Sequence, residues 1–449
     1  MKKGLWIVAG LTLMAGILPA GRAAAARTEK VICRVELDRG ILPAGASQRA
    51  IVKVSLDAPA VRIKAERTPI NLAIVLDRSG SMGSDQKLEK AKQAAIEALR
   101  RLSERDRFSL VIFDHEVETI VPPQSASNTE WIESRIRDIR SRGNTALFSG
   151  VSQGAAEIRK HLDGHYVHRI LLLSDGQANV GPRQPEDLGR LGAALLKEHI
   201  AVTTIGVGTD YNEDLMTRLA QQSDGNTYFV ESSADLPRIF AAELGDVLSV
   251  FAREVVLQIE FADGVRPLRI IGRDGRLGDR TVEIRLNQLY GGQEKYALVE
   301  VEVPAGRPSD TQPVATARCA YENLLSRRPE RTEATASVRF SDRERDVLKS
   351  ANIAVQRDVA INVLAEAKDE AVKLSDKGDY KQAGGKLREA SMAVKAQLTT
   401  YGIDDVQLEK NAAAAGAAAP SVEASGFDNR SRKAAVTDSY QMRNQQSNQ

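Results

Sequence analysis

The chain has 449 residues, 42% of them hydrophobic and 27% charged, with 62 basic against 60 acidic side chains. That length is too great for one ordinary domain and favours two to four units. The composition describes ordinary globular material, and the near balance of charge argues against nucleic acid as a partner.

Lys2 and Lys3 precede an apolar run over residues 4–20, which leads into Ala23-Ala24-Ala25-Ala26. A basic region, an apolar stretch and an A-x-A exit describe a secretory signal peptide over residues 1–26, cut after Ala25 or Ala26. The same composition suits an uncleaved N-terminal anchor, and that alternative stays open. Every later apolar run is broken by charge before about 18 residues, so no membrane span is expected in the mature chain. The expected location is therefore exported: periplasmic, cell-surface or extracellular. In such an oxidising compartment the two cysteines, Cys33 and Cys319, form either a disulfide or a pair of buried free thiols.

Residues 28–67 read as short strands, because 31–37 and 50–56 alternate apolar with polar side chains around the turn Leu42-Pro43-Ala44-Gly45. From Thr68 the pattern changes. Leu72-Ala73-Ile74-Val75-Leu76 is a continuous apolar run, as a parallel strand buried on both faces requires. A helix over 87–102 follows, with Leu88, Ala91, Ala95, Ala98 and Leu102 at helix-face spacing. Next come strands at 108–113 and 117–121, helices at 129–140 and 147–161, and buried strands at 169–173 and 200–207 around a helix near 185–198. A strand at 227–230 and a helix at 233–246 close the series. Strands alternating with helices predict an α/β fold with a doubly wound, mostly parallel sheet over 68–248.

The β pattern then resumes at 255–261, 281–286, 296–303, 314–321 and 334–340, with turn residues between the runs. Residues 28–67 and 250–342 are expected to form one β-sandwich, with the α/β domain inserted between its halves. A Cys33–Cys319 bond would tie those halves together. Residues 343–400 predict a helical hairpin around Lys377-Gly378-Asp379-Tyr380. Residues 411–449, rich in Ala and then in Ser, Asn and Gln, are expected to be a disordered tail.

The chemistry concentrates after the first α/β strand, at Asp77-Arg78-Ser79-Gly80-Ser81. In an open α/β sheet, ligands sit beyond the carboxyl ends of the strands, where the topology reverses. One carboxylate and two hydroxyls are presented there, and Gly80 lets the backbone turn tightly. Gly143-Asn144-Thr145 precedes a helix and Ser174-Asp175-Gly176 ends a strand, so both reach the same crevice. Oxygen donors without Cys or His select a hard cation: Mg2+, Ca2+ or Mn2+. Two carboxylates only just neutralise such a cation, and hydroxyls add no charge. An incoming Asp or Glu from a protein partner is then a favourable further ligand.

Asp77, Ser79, Ser81, Thr145 and Asp175 follow the order D-x-S-x-S, Thr, Asp. On these residues the chain resembles the von Willebrand factor A (VWA) family, whose metal-ion-dependent adhesion site has that pattern; the resemblance covers about residues 68–248. It implies the Rossmann-like VWA sheet, a bound divalent metal and a protein-binding role. With its flanking β segments the chain is similar to secreted bacterial proteins described as like calcium-activated chloride channels or inter-alpha-trypsin inhibitor heavy chains. Ion conduction does not transfer, because no later membrane span is expected. The zinc-protease motif of some relatives, H-E-x-x-H, does not occur in the sequence.

Other signals carry less. Gly150-Val151-Ser152-Gln153-Gly154 matches a nucleophile elbow, but that motif needs a strand before it and a helix after it, and here it falls inside a helix. His161, His165 and His168 are read as a solvated loop rather than a zinc site. No nucleotide-binding loop is recognisable. The leading expectation is an exported, metal-dependent adhesion or protein-binding module with no enzymatic activity. The alternatives are a metal-dependent hydrolase and a purely structural, metal-stabilised envelope component with no exchangeable ligand. For the site itself, the alternative is a structural loop in which Ser79 and Ser81 merely cap the next helix.

Overall fold

A computed structural model describes residues 30–61, 67–444 and 446–448. The expected signal peptide, residues 1–26, lies outside them. The first strands are β1 (Ile32–Leu37), β2 (Ile41–Pro43) and β3 (Gln48–Asp57). The α/β unit then runs through β4 (Ile70–Asp77), α1 (Lys87–Arg101), β5 (Arg107–Phe113), β6 (Val117–Ser125), α2 (Thr129–Arg137), α3 (Leu147–Arg159) and β7 (Val167–Ser174). It finishes with α4 (Pro185–Lys197), β8 (Ile200–Val207), α5 (Glu213–Gln222), β9 (Thr227–Val230) and α6 (Leu236–Leu248).

These strands form a sheet in the order β6-β5-β4-β7-β8-β9. Every pairing is parallel except β5 with β6. The continuous apolar run of β4 divides by alternation. Leu72, Ile74 and Leu76 join a core with α1, α2 and α6, whereas Ala73 and Val75 join a second core with α3, α4 and α5. The chain leaves β4 for β5 on one side and later returns to β7 on the other, so the carboxyl end of β4 is the switch point of the sheet. Gly150 and Gly154 are contact points rather than an elbow: a Cβ there would meet Phe113 and Val75 at 2.7 and 2.5 Å. Ser152 is an ordinary helical residue whose hydroxyl donates to the Phe148 carbonyl at 2.8 Å.

After α6 the chain enters β10 (Val250–Phe261), β11 (Arg266–Ile271), β12 (Arg276–Leu277), β13 (Thr281–Tyr290), β14 (Gln293–Val303), β15 (Thr311–Asn323) and β16 (Arg328–Ser341). One sheet has the order β1-β3-β14-β11 and the other β12-β13-β10-β15-β16-β2. Each sheet thus combines strands from before and after the α/β unit, so the α/β unit is an insertion in a β-sandwich, as the pattern predicts. Their facing sides share one core that includes Val52, Val54, Val299, Leu257, Ile259 and Ala317.

Cys33 and Cys319 lie in that same core, one on each sheet, but they are free thiols and form no disulfide. Burial pushes both up to about 12, which suppresses the thiolate that disulfide exchange requires. They pack as small apolar side chains.

The remaining helices are α7 (Glu344–Lys349), α8 (Ile353–Asp376), α9 (Tyr380–Tyr401), α10 (Val406–Ser425) and α11 (Asn429–Arg443). Val355 and Val359 of α8 pack on Ile271, Tyr296 and Leu298, the outer side of the first sandwich sheet. The hairpin of α8 and α9 is present, but the tail expected to be disordered is helical over most of its length. Its alanines are strong helix formers and become core: Ala412, Ala415 and Ala419 pack with Leu364, Ala383 and Leu387. Asp405 and Asp428 cap α10 and α11 by accepting from the amides of Leu408 and Ser431 at 2.8 and 2.7 Å. Gly384 permits the close approach of α9 and α10, since a Cβ would meet the Ala419 carbonyl oxygen at 2.5 Å. Among the described residues, no helix is long and apolar enough to cross a membrane.

Candidate metal centre

Asp77 ends β4, Asp175 follows β7 and Thr145 precedes α3, so three separate segments meet at the switch point. The loops are stitched together by backbone hydrogen bonds. Arg142 and Gly80 donate to the carbonyls of Arg78 and Gly143 at 2.7 and 3.0 Å, and Asn179 and Val180 donate to that of Thr145. The Asn179 side chain accepts from the Thr145 amide at 2.8 Å.

The side chains form one continuous group. The Ser79 amide donates to Asp77 Oδ1 at 2.8 Å, and the Ser79 and Ser81 hydroxyls lie 3.1 Å apart. The Ser81 hydroxyl donates to Asp175 Oδ1 at 2.7 Å. Gly176 leaves the space that Thr145 uses: a Cβ there would stand 2.8 Å from Thr145 Oγ1 and 3.5 Å from Asp77 Oδ2. All five expected residues are therefore brought together. Neither serine side chain caps the short helical turn Gly80–Gly83 or α1, so the helix-capping alternative is not the arrangement found.

Asp77 and Asp175 are both fully buried. Desolvation pushes the Asp77 carboxyl up to about 6, a rise that hydrogen bonds from Ser174 and Ser79 partly offset and the neighbouring Asp175 reinforces. A buried carboxylate held by hydroxyl and amide donors alone leaves charge uncompensated. Two carboxylates and three hydroxyls around one point are the donor chemistry of a hard divalent cation. The residues present fit such an ion: Asp77, Ser79, Ser81, Thr145 and Asp175 would hold it.

Sequence reasoning missed several supporting residues. Ser174 donates to Asp77 Oδ2 at 2.5 Å; its place directly before Asp175 was the available signal. Lys87 Nζ lies 2.7 Å from Asp175 Oδ2, a contact that no local sequence signal announces. Asp114, buried just past β5, receives Arg78 Nε at 2.8 Å and Arg142 Nε at 2.9 Å. Although burial opposes it, the Glu116 amide and these two guanidiniums hold the Asp114 carboxyl below its usual range. Asp114, His115 and Glu116 are close enough to chelate, but the arginines already neutralise Asp114, which makes it a brace for the metal loops. His168 also departs from expectation: it is buried rather than solvated, with Nε2 3.1 Å from the Asp163 carbonyl oxygen.

The far end of the chain reaches this side of the domain. Arg432 and Lys433 of α11 pair with Glu213 at the start of α5, each at 2.5 Å. Gln177, two residues past Asp175, donates to the Asp210 carbonyl at 2.6 Å, which ties the metal loop to the segment leading into α5.

A family model for the von Willebrand factor type A domain matches residues 71–242. An uncharacterised protein of Synechocystis sp., sll0103, is 30% identical over 258 residues, covering 54% of this chain and 60% of that protein. Human inter-alpha-trypsin inhibitor heavy chain H3 is 25% identical over 178 residues, covering 37% of this chain and 20% of that one. The chain thus spans less than two thirds of the length of these relatives. The solved von Willebrand factor type A protein from Catenulispora acidiphila matches with a TM-score of 0.65 at 15% identity, over 88% of this chain and 97% of that one. That likeness is one of fold and extends well beyond the α/β unit. With strand order, switch point and matched segment in agreement, residues 71–242 of this chain form a von Willebrand factor type A domain.

Proposed function

We propose that the chain is an exported adhesion or assembly protein that holds a divalent cation, Mg2+ by preference, and binds an acidic side chain of a protein partner through it. The observation that carries this reading is the convergence of Asp77, Ser79, Ser81, Thr145 and Asp175 at the switch point, with two buried carboxylates among them. A bound cation would supply an electrophilic coordination position for a partner carboxylate. The chain's own residues do the rest. Ser174 and the Ser79 amide hold Asp77, Ser81 holds Asp175, and Arg78 and Arg142 fix the loops through Asp114. These donors engage the carboxylates as ligands rather than leaving them free as proton acceptors, which favours binding over hydrolysis.

Isothermal titration of Mg2+ and Mn2+ into the chain, beside Asp77→Ala and Thr145→Ala, tests the reading. Saturable binding near one ion per chain, lost in both variants, is the expected result; no binding by either the unaltered chain or a Lys87→Met variant sinks it. Cell fractionation with N-terminal sequencing of the recovered protein tests export. A start after Ala25 or Ala26 is expected, and a cytosolic chain retaining Met1 overturns that part.

A further inference from the structure

Among the described residues of the crevice, Lys87 stands out as one that a metal-holding site does not call for. It opens α1, where the aligned peptide dipoles disfavour a cation, and its side chain is only 10% exposed. The two residues before it, Asp85 and Gln86, both adopt left-handed backbone at φ 52° and 55°, a conformation that costs non-glycine residues on the order of 1 kcal/mol each. The turn is braced by the Lys87 amide donating to the Ser84 carbonyl at 3.0 Å and by the Ser233 hydroxyl donating to that of Asp85 at 3.0 Å. This backbone delivers Nζ to Asp175 Oδ2 at 2.7 Å, while Ser81 occupies Oδ1 at 2.7 Å. Both oxygens of Asp175 are thereby committed.

We propose that Lys87 is a fixed internal cation that holds Asp175 in place and sets the charge of the metal site, lowering its affinity for the metal alone and raising its affinity for a metal together with a carboxylate ligand. This rests on the metal-binding reading above. The reasoning is one of charge. Asp77, Asp175 and Lys87 together carry −1, so a divalent ion brings the site to +1, and one incoming carboxylate neutralises it. Without Lys87 the two carboxylates formally balance the ion, so a further carboxylate can still ligate it but meets less attraction than at a site of net charge +1. By linkage, whatever strengthens the ligand in the presence of metal strengthens the metal in the presence of ligand to the same degree. Lys87 is therefore a positioning residue that makes the site selective for a partner-bearing state.

The test titrates Mn2+ into the full chain and into Lys87→Met and Lys87→Arg, each in chloride buffer with and without acetate as the carboxylate probe. Lys87→Met is expected to bind Mn2+ at least about tenfold more tightly than the unaltered chain in chloride. It is also expected to gain less from acetate, while Lys87→Arg behaves like the unaltered chain. A lysine that merely props up the fold would weaken Mn2+ binding when lost, so Lys87→Met binding Mn2+ equally or more weakly overturns the proposal and leaves the metal reading standing. Failure of both the unaltered chain and Lys87→Met to bind Mn2+ overturns the metal reading, and the proposal falls with it. Should Lys87→Met not fold, Lys87→Gln, which keeps a hydrogen bond to Asp175 without the charge, is judged by the same outcomes.

Discussion

Two fully buried charges at opposite ends of the α/β sheet, Arg169 and Asp77, are treated in opposite ways. At the amino ends of the strands, against the sandwich, Arg169 and Asp106 are each met by a charged partner. Arg169 of β7 is fully buried, with its guanidinium donating to Tyr290 at 2.6 Å and Gln288 at 2.9 Å and lying 3.5 Å from Glu243. Arg67 pairs with buried Asp106 at 2.5 Å. At the carboxyl ends Asp77 is just as buried but is met by a hydroxyl and an amide. The first arrangement joins two layers; the second leaves the Asp77 charge without a cationic partner among the described residues. Burial alone does not separate structural from functional charge, whereas the nature of the partner does.

That contrast can be broken most severely at the sandwich end. Arg169→Met strands Glu243, Gln288 and Tyr290 in the interior and should destabilise the chain by about 3–5 kcal/mol in urea unfolding. A change below about 1 kcal/mol would show that this cluster is not what joins the layers.

His168, also at that end, is pushed down from 6.5 to about 4 by burial, with the positive charge of Arg253 contributing and the Asp163 carbonyl opposing. Its folded-state pKa is depressed, so the unfolded chain binds the proton first as pH falls. Stability is complete above about pH 6.5 and is lost between 6.5 and 4, by about 2–3 kcal/mol. His168→Asn should remove that part of the acid sensitivity, seen as a smaller difference in unfolding free energy between pH 7.5 and 4.5 than the unaltered chain gives.

At the metal end the sign reverses. Asp77 has a folded-state pKa raised from 3.8 to about 6, so the metal-free fold loses stability as pH rises through that window and the loss is complete above about pH 6. Asp77→Asn should therefore raise Tm in EDTA at pH 7.5, by up to about 2 kcal/mol of stability, and abolish any stabilisation by Mn2+. A variant that melts lower than the unaltered chain in EDTA would count against an uncompensated charge at this position. The smallest effect on the fold belongs to Gly176→Ala. Its methyl group would press on the Thr145 hydroxyl at 2.8 Å, so Mn2+ affinity should drop about tenfold while urea unfolding in EDTA shifts by less than about 1 kcal/mol.

Much of this architecture was legible in the chain itself. Leu72-Ala73-Ile74-Val75-Leu76 announces a strand covered on both faces, and the oxygen donors at 77, 79, 81, 145 and 175 lie after strands or before a helix, where an α/β crevice collects them. What stayed hidden depends on long-range packing. Nothing local says that Lys87 turns inward, because its direction is set by left-handed backbone at Asp85 and Gln86. The burial of His168 follows from its neighbours in space, Asn71 and the Asp163 carbonyl. The alanine-rich tail reads as low complexity on composition, yet small side chains are what closely packed helices need, and the cap residues Asp405 and Asp428 were the overlooked sign. The cysteines were expected either bonded or buried and free; their packing among aliphatic side chains decided the second.

The insertion has a mechanical consequence. The α/β unit is entered after β3 and left into β10, and these two strands belong to opposite sheets of the sandwich. A tensile load applied at the crevice, at the far end of the α/β sheet, is divided between them. Each share is resisted along a ladder, β3 against β14 over ten paired residues and β10 against both β13 and β15. Rows of hydrogen bonds sheared together give way together rather than one by one. Under the proposed adhesion role, a contact at the crevice is expected to give way before these two footings do.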